Sequence, residues 1–285
     1  MLNLLKSVFS IEYRLEVAEK KLVTALANGD ILFVRKIINK YSYLSNTWIS
    51  TSDISQSASL LHWAVRAGDR NFVKFLLDHN VDMDKFDYNG NTALENACKN
   101  GDISTVSLLL DNKADVNARE MMKSPIAYAP DESKGSAPLS TAAARGHVDV
   151  VRLLIKKGAH ICPYSEGYTR AHNLRGRQPD LPSKIPLLTA IKNNHEEIVE
   201  ILFEKDRVRK DEYFEYLGYL AYFSIINKKD DIALFFLKKG AQTDYIGRSY
   251  YDSRDYNDRP DLLQLSKENK CEKVLRFVEE RKLKS

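Results

Sequence analysis

The chain has 285 residues, 44% hydrophobic and 29% charged, with a net charge of +4. That is enough apolar material for one large core or two small ones, and too much for a chain disordered throughout. No apolar run approaches the ~20 residues of a membrane span, and so mild a charge does not argue for nucleic acid without a local patch.

The opening stretch, MLNLLKSVFSIEYRLE, has a few apolar residues around Lys6 and then turns acidic. It lacks the unbroken apolar run and small-residue cleavage site of a secretion signal. Residues 1–20 are expected to supply an N-terminal cap. From residue 22 onward one phrase recurs: small residues, a tight turn, a polar residue and an apolar cluster. It reads LVTALANGDILFVRKIINKY at 22–41, LHWAVRAGDRNFVKFLLDHNVD at 61–82 and LENACKNGDISTVSLLLDNKAD at 94–115. It continues as LSTAAARGHVDVVRLLIKKGAH at 139–160 and LLTAIKNNHEEIVEILFEKD at 187–206. The last two copies are AYFSIINKKDDIALFFLKKGAQTD at 221–244 and LQLSKENKCEKVLRFVEERK at 263–282. Self-similarity at such a period is the mark of stacked repeats.

Each copy predicts a first helix, a tight turn, a second helix and a loop. Ala64, Ala97, Ala143 and Ala144 keep the first helices slim enough for close approach. Phe72, Val73, Leu76 and Leu77 place one apolar face on the second. One copy cannot cover that face alone, so neighbours complete the core. The turn falls at Gly29, Gly68, Gly101, Gly146, Asn194, Lys228 and Lys270, at intervals of 39, 33, 45, 48, 34 and 42. A left-handed residue there suits glycine and, next best, asparagine. Lys228 and Lys270 suit it less, which predicts distorted turns. Repeat six has Tyr222, Phe223 and Ile225 where others are small, which predicts looser or kinked packing. The final helix is polar away from Val274, Leu275, Phe277 and Val278 and reads as a C-terminal cap.

LLHWAVRAG at 60–68 resembles the TPLHxAAxxG signature of ankyrin repeats, and DYNGNTAL at 87–94 resembles their DxxGxTPL hairpin. KADVN at 113–117 and KKGAH at 156–160 resemble the GADVN end, and the resemblance covers roughly residues 20–282. It implies an all-α ankyrin-repeat solenoid of about six to seven helix–turn–helix units with long finger-loop insertions. The expected organisation is a single domain over 1–285, with residues 261–285 as capping helices and no room for a fused effector domain. The implied role is a non-enzymatic adaptor, inhibitor or scaffold that binds a protein, with no cofactor and no metal. A monomer in the cytoplasm is expected. Many ankyrin proteins of this shape are secreted by intracellular bacteria, and the Lys-, Asn- and Ile-rich usage is compatible with an effector acting in the host cytosol.

The long insertions fall between a second helix and the next first helix, where the resemblance implies a finger-like hairpin: about 42–58, 119–136, 162–184 and 243–259. Insertions that repeatedly enlarge one face mark it for binding; tolerated loop drift is the competing explanation. Of 15 tyrosines, ten lie in or beside the fingers: Tyr41, Tyr43, Tyr88, Tyr128, Tyr164, Tyr168, Tyr245, Tyr250, Tyr251 and Tyr256. Tyrosine buries a large ring and keeps a hydroxyl for a partner, though it also suits a finger's own small core. Asn89 sits beside Tyr88 at the fingertip and joins it as a candidate contact. The 162–184 finger carries Arg170, Arg175, Arg177 and Lys184 among tyrosines, which suits a carboxylate or phosphate; a solvated loop is the alternative.

The resemblance also implies that the last positions of each first helix face the inner groove. The four middle repeats place Arg66, Lys99, Arg145 and Lys192 there and no acid. Aligned, they would form a basic strip for an acidic or mixed protein surface, while the helix dipole alone also accounts for cations at helix C-termini.

No GxSxG, HExxH or phosphate-binding glycine loop is present, which argues against an enzyme. His62, His147 and His195 read as structural. His160, Cys162 and His172 offer a second reading, an enzyme built on the fingers, and the basic finger a third, nucleic-acid binding. The three cysteines are too few and scattered for a disulfide framework. Asn117 ends LLLDNKADVN, a context similar to ankyrin asparagines hydroxylated by the asparaginyl hydroxylase of oxygen sensing. Closing its hairpin through its side chain is the simpler role.

Overall fold

The computed structural model describes residues 17–50, 57–118, 138–161, 186–205, 213–243 and 260–282. They fall into two compact blocks, 1–135 and 136–285. The first holds α1 (17–27), α2 (Ile31–Lys40), α3 (Leu60–Arg66), α4 (Arg70–Leu77), α5 (Ala93–Asn100) and α6 (Ile103–Asp111). The second holds α7 (Pro138–Arg145), α8 (Val148–Lys156), α9 (Pro186–Lys192) and α10 (Glu196–Lys205). It continues with α11 (Tyr213–Ile226), α12 (Asp230–Lys238), α13 (Leu262–Asn269) and α14 (Glu272–Lys282). Consecutive helices pair into repeats one to seven. Among the described residues the only sheet is one pair of two-residue strands, β1 (Trp48–Ile49) and β2 (Ala58–Ser59).

One hydrogen-bonded turn recurs in all seven repeats. The turn residue is left-handed, with φ between 57° and 78°, at Gly29, Gly68, Gly101, Gly146, Asn194, Lys228 and Lys270. Its N–H donates to the carbonyl three residues back. The next N–H donates to the carbonyl four residues before the turn, at 2.9–3.2 Å: Asp30 to Ala25, Asp69 to Ala64, Asp102 to Ala97, His147 to Ala142, His195 to Ala190, Lys229 to Ser224 and Cys271 to Ser266. This crossed pair satisfies carbonyls that the helix end leaves open. The expected distortion at Lys228 and Lys270 is absent: both lysines take the left-handed conformation, at φ 57° and 59°, and make the same bonds. Packing of the two flanking helices overrides a local preference of about 1–2 kcal/mol.

The residue four before each turn is small and no more than 5% exposed: Ala25, Ala64, Ala97, Ala142, Ala190, Ser224 and Ser266. In α7 this register belongs to Ala142; Ala144, expected to share the role, is only half-buried. The two serines satisfy their hydroxyls within the helix, Ser224 donating to Leu220 O at 2.7 Å and Ser266 to Leu262 O at 2.6 Å. Repeat six therefore keeps the small residue that its neighbours have, and its first helix is unbroken there. α11 is continuous over 14 residues, about twice the length of α3 or α9, with Tyr222 and Ile225 buried.

The second helices bury a compact apolar set at i, i+1, i+4: Phe72, Val73 and Leu76 in α4, Val150, Val151 and Leu154 in α8, and Ile198, Val199 and Leu202 in α10. Leu77 of the predicted set is half-exposed. Burial of each such side chain contributes about 1.5–3 kcal/mol. In α14 the buried members are Val274 and Val278, with the rest of the helix largely exposed, as a capping helix requires.

Candidate protein-binding surfaces

The finger of repeat two is organised by one buried carboxylate. Asp87 Oδ1 accepts the N–H groups of Asn89 and Asn91, both at 2.9 Å, and its Oδ2 accepts from Arg66 Nη2 at 2.5 Å and Asn96 Nδ2 at 3.2 Å. The backbone closes the same loop, with the Asp87 N–H donating to Asn91 O and the Gly90 N–H to Asp87 O. Gly90 holds φ 74°, which any Cβ would disfavour. Burial alone would raise the Asp87 pKa. The Asn91 backbone, the Asn96 amide, His62 and Arg66 outweigh it and hold the carboxyl below the usual range. The hairpin then runs into α5 through a capping box between Thr92 and Glu95.

This network places the predicted residues of repeat two. Tyr88 stands at the tip, 48% exposed, while its N–H donates to Ser57 O and ties the second finger to the first. Asn89 is half-buried behind it. Arg66, expected in the groove strip, is committed to Asp87, with a quarter of its side chain exposed. Lys99 at the end of α5 is exposed, and so are Arg145 of α7 and Lys192 of α9. The asparagines that directly follow α9 and α11 fold back on those helices, Asn193 Nδ2 donating to Thr189 O and Asn227 Nδ2 to Phe223 O, both at 2.8 Å.

The first finger adds two exposed aromatic side chains, Tyr43 and Trp48. Trp48 had no signal in the sequence beyond its type. Its exposure follows from the β1–β2 pairing, which turns Ile49 inward and Trp48 outward. Tyr164, Tyr168, Arg170, Arg175, Arg177, Tyr250, Tyr251 and Tyr256 lie outside the described residues, as do Cys162 and His172.

The histidines hold neighbouring turns. His62 Nε2 donates to Asn91 O at 3.0 Å and its Nδ1 accepts from Ser59 Oγ at 2.7 Å. Burial lowers its pKa, against the opposing pull of the Asn91 carbonyl and Asp87. His195 Nε2 donates to Ala144 O at 3.1 Å, and its ring lies where a Cβ on Gly146 would stand. Cys98 and Cys271 are free and buried, and burial pushes both thiols up, Cys271 to about 11. Among the described residues no group of three or more His, Cys, Asp or Glu could hold a metal ion. Asn117 is half-buried in the turn after α6, its N–H donating to Asp115 Oδ1 at 2.8 Å.

A family model described as ankyrin repeats (3 copies) matches residues 22–120, and one described as ankyrin repeat matches 134–164. An ankyrin repeat protein of fowlpox virus (strain NVSL) is 34% identical over 118 residues, 40% of this chain and 24% of that protein. An ankyrin repeat protein of Rickettsia bellii (strain RML369-C) is 27% identical over 145 residues, 50% of this chain and 70% of that protein. The human ASB11 ankyrin repeat domain superposes with a TM-score of 0.56 at 19% identity, covering 86% of this chain and 90% of that one, and so shares its fold.

Proposed function

We propose, from the premise that this chain is an ankyrin-repeat protein, that it is a non-enzymatic interaction module holding an acidic or mixed protein surface. The ligand is gripped between the cations at the ends of the first helices and the tips of the fingers. What supports the reading is the exposure of Lys99 and of Tyr88, the latter on a finger held in place by Asp87. Such a finger loses little conformational freedom on binding. In the second block Arg145 and Lys192 present the same charge from consecutive first helices, which pack directly against each other. The proposal extends to Tyr164, Tyr168, Arg170, Arg175, Arg177, Tyr250, Tyr251 and Tyr256, which the sequence puts in the longer insertions.

A pull-down with the wild type and two variants tests this. Lys99→Ser, Arg145→Ser and Lys192→Ser combined should lose partners that the wild type retains, and deletion of 164–183 should lose those held by the long finger. Identical recovery by all three proteins rejects the surface. Arg66 is left intact, because its loss would unfold the finger rather than report on binding. A binding signal to RNA or DNA that collapses with salt would instead favour the nucleic-acid reading.

The effector reading is supported by the 70% coverage of the Rickettsia bellii protein, and a translocation reporter fused to the chain in an intracellular bacterium tests it. Hydroxylation of Asn117 is a further proposal, checked by a one-oxygen mass shift on its peptide after exposure to the hydroxylase.

A further inference from the structure

Repeat six turns part of its bulk outward. Tyr222 and Ile225 are buried, but Phe223 is only half-buried and Ile226 is 42% exposed. Phe223 stands five residues before the turn residue, where repeats four and five have Thr141 and Thr189. Ile226 stands two before it, where repeat five has Lys192 and repeat seven Glu268. The turn makes the same hydrogen bonds in every repeat, so residues of one register take the same place in each. The helices α9, α11 and α13 pack in succession. Lys192, Ile226 and Glu268 therefore form one row: a cation, an apolar step and an acid.

The apolar step is broader than one side chain. Tyr219, Phe223 and Ile226 follow at intervals of four and three and share one face of α11, and the Tyr219 and Phe223 rings stack with centroids 6.2 Å apart. The side chains of Lys192 and Glu268 are exposed, and among the described residues neither has an ion pair or hydrogen bond. Glu197 pairs with Arg152 at 3.0 Å, Asp230 accepts the N–H groups of Lys273 and Val274, and Asp231 holds the Lys273 ammonium; these three do not answer Lys192. Lys267, beside Glu268, takes the register that Ile191 and Ile225 bury, and so points along the stack instead of into the row.

Packed helices lie about 8–10 Å apart. A polyproline II chain has three residues per turn and rises about 3.1 Å per residue, so every third side chain falls on one face about 9.3 Å from the last. Two turns of an α-helix span about 10.8 Å, a poorer match over three repeats. We propose that the row binds a polyproline II segment of a protein partner carrying a carboxylate, an apolar side chain and a cation at successive third positions. The carboxylate meets Lys192, the apolar side chain rests on Ile226 and Phe223, and the cation meets Glu268. The opposite charges on either side of the apolar step fix which end of the segment lies over repeat five. This inference rests on the first-helix surface proposed above and narrows it to one stretch of the second block.

Fluorescence polarisation on the full chain tests it, with the labelled peptide Glu-Pro-Pro-Leu-Pro-Pro-Lys and a twin carrying Lys for Glu. The first should bind about fivefold more tightly than the twin. Lys192→Glu should reverse that preference, an outcome that only a folded variant can give, and Ile226→Ser should weaken both peptides about tenfold. Lys99→Ser should leave both affinities unchanged. Equal binding of the two peptides, no binding at millimolar concentration, or a preference that survives Lys192→Glu would overturn the proposal. Tighter binding of an alanine-based helix with Glu, Leu and Lys at intervals of seven would also overturn it, as would a concentration-dependent dimer dispersed by Ile226→Ser. If the combined Lys99, Arg145 and Lys192 variant loses partners in the pull-down while the two peptides bind alike, the row is rejected and the wider surface stands.

Discussion

Asp87 has no exposed side-chain surface, yet it stays charged because five donors converge on it. Asp87→Ala leaves the Arg66 guanidinium and two finger N–H groups without their acceptor. A loss of about 3 kcal/mol in urea unfolding is expected, with a smaller loss for Asp87→Asn. The carboxyl is held below its ordinary range, so its contribution is complete above about pH 3.9 and disappears as the pH falls through the lowered value. His62 works in the same direction from a higher starting point. Burial keeps it neutral, so below about pH 6.5 the unfolded chain takes up a proton that the folded one refuses. Stability should therefore fall between pH 7.5 and 5.5, and His62→Gln should flatten that slope. The left-handed lysines give the opposite kind of handle. Lys228→Gly and Lys270→Gly keep the turn and relieve its strain, so each should raise stability by up to about 1 kcal/mol in thermal or chemical unfolding, the gain being reduced by the extra freedom of glycine in the unfolded chain. A destabilised glycine variant would show that the lysine stems contribute packing instead.

At the scale of the helix, the constraint is the width of the first helix four residues before its turn. Ala97 is fully buried and its carbonyl receives the Asp102 N–H. Ala97→Leu forces methylenes into a closed contact and should cost about 1–3 kcal/mol or more, whereas Ala97→Ser should be tolerated because Ser224 and Ser266 already occupy the equivalent place. Equal losses for Leu and Ser would mean that width is not what selects the residue. The same position explains why α11 keeps the common turn although its bulky residues predict looser packing. Tyr222, Phe223 and Ile225 stand out to the eye, but they flank Ser224, and the register that matters is one residue wide. In the second helices α4, α8 and α10, three apolar side chains at i, i+1, i+4 mark the buried face.

At the scale of the molecule, stability is a sum of neighbour contacts within a row of repeats rather than a property of one shared core. Asp87→Ala should therefore raise hydrogen exchange most in residues 60–118 and leave 260–282 nearly unchanged. Uniform loss of protection across both blocks would show a single cooperative unit instead.

The turn positions and the all-α class, with about six to seven repeats, were legible in the residues alone, because periodic small residues, left-handed turns and apolar stripes are local requirements that each copy must meet in its own residues. Only the tertiary structure decided how particular side chains are used. It committed Arg66 to Asp87 across 21 residues, turned Trp48 outward, and set Arg35 over Phe72 and Phe75 of the next repeat. Those outcomes depend on which segments remote in sequence meet in the fold, and the spacing of residues within one helix carries no record of them.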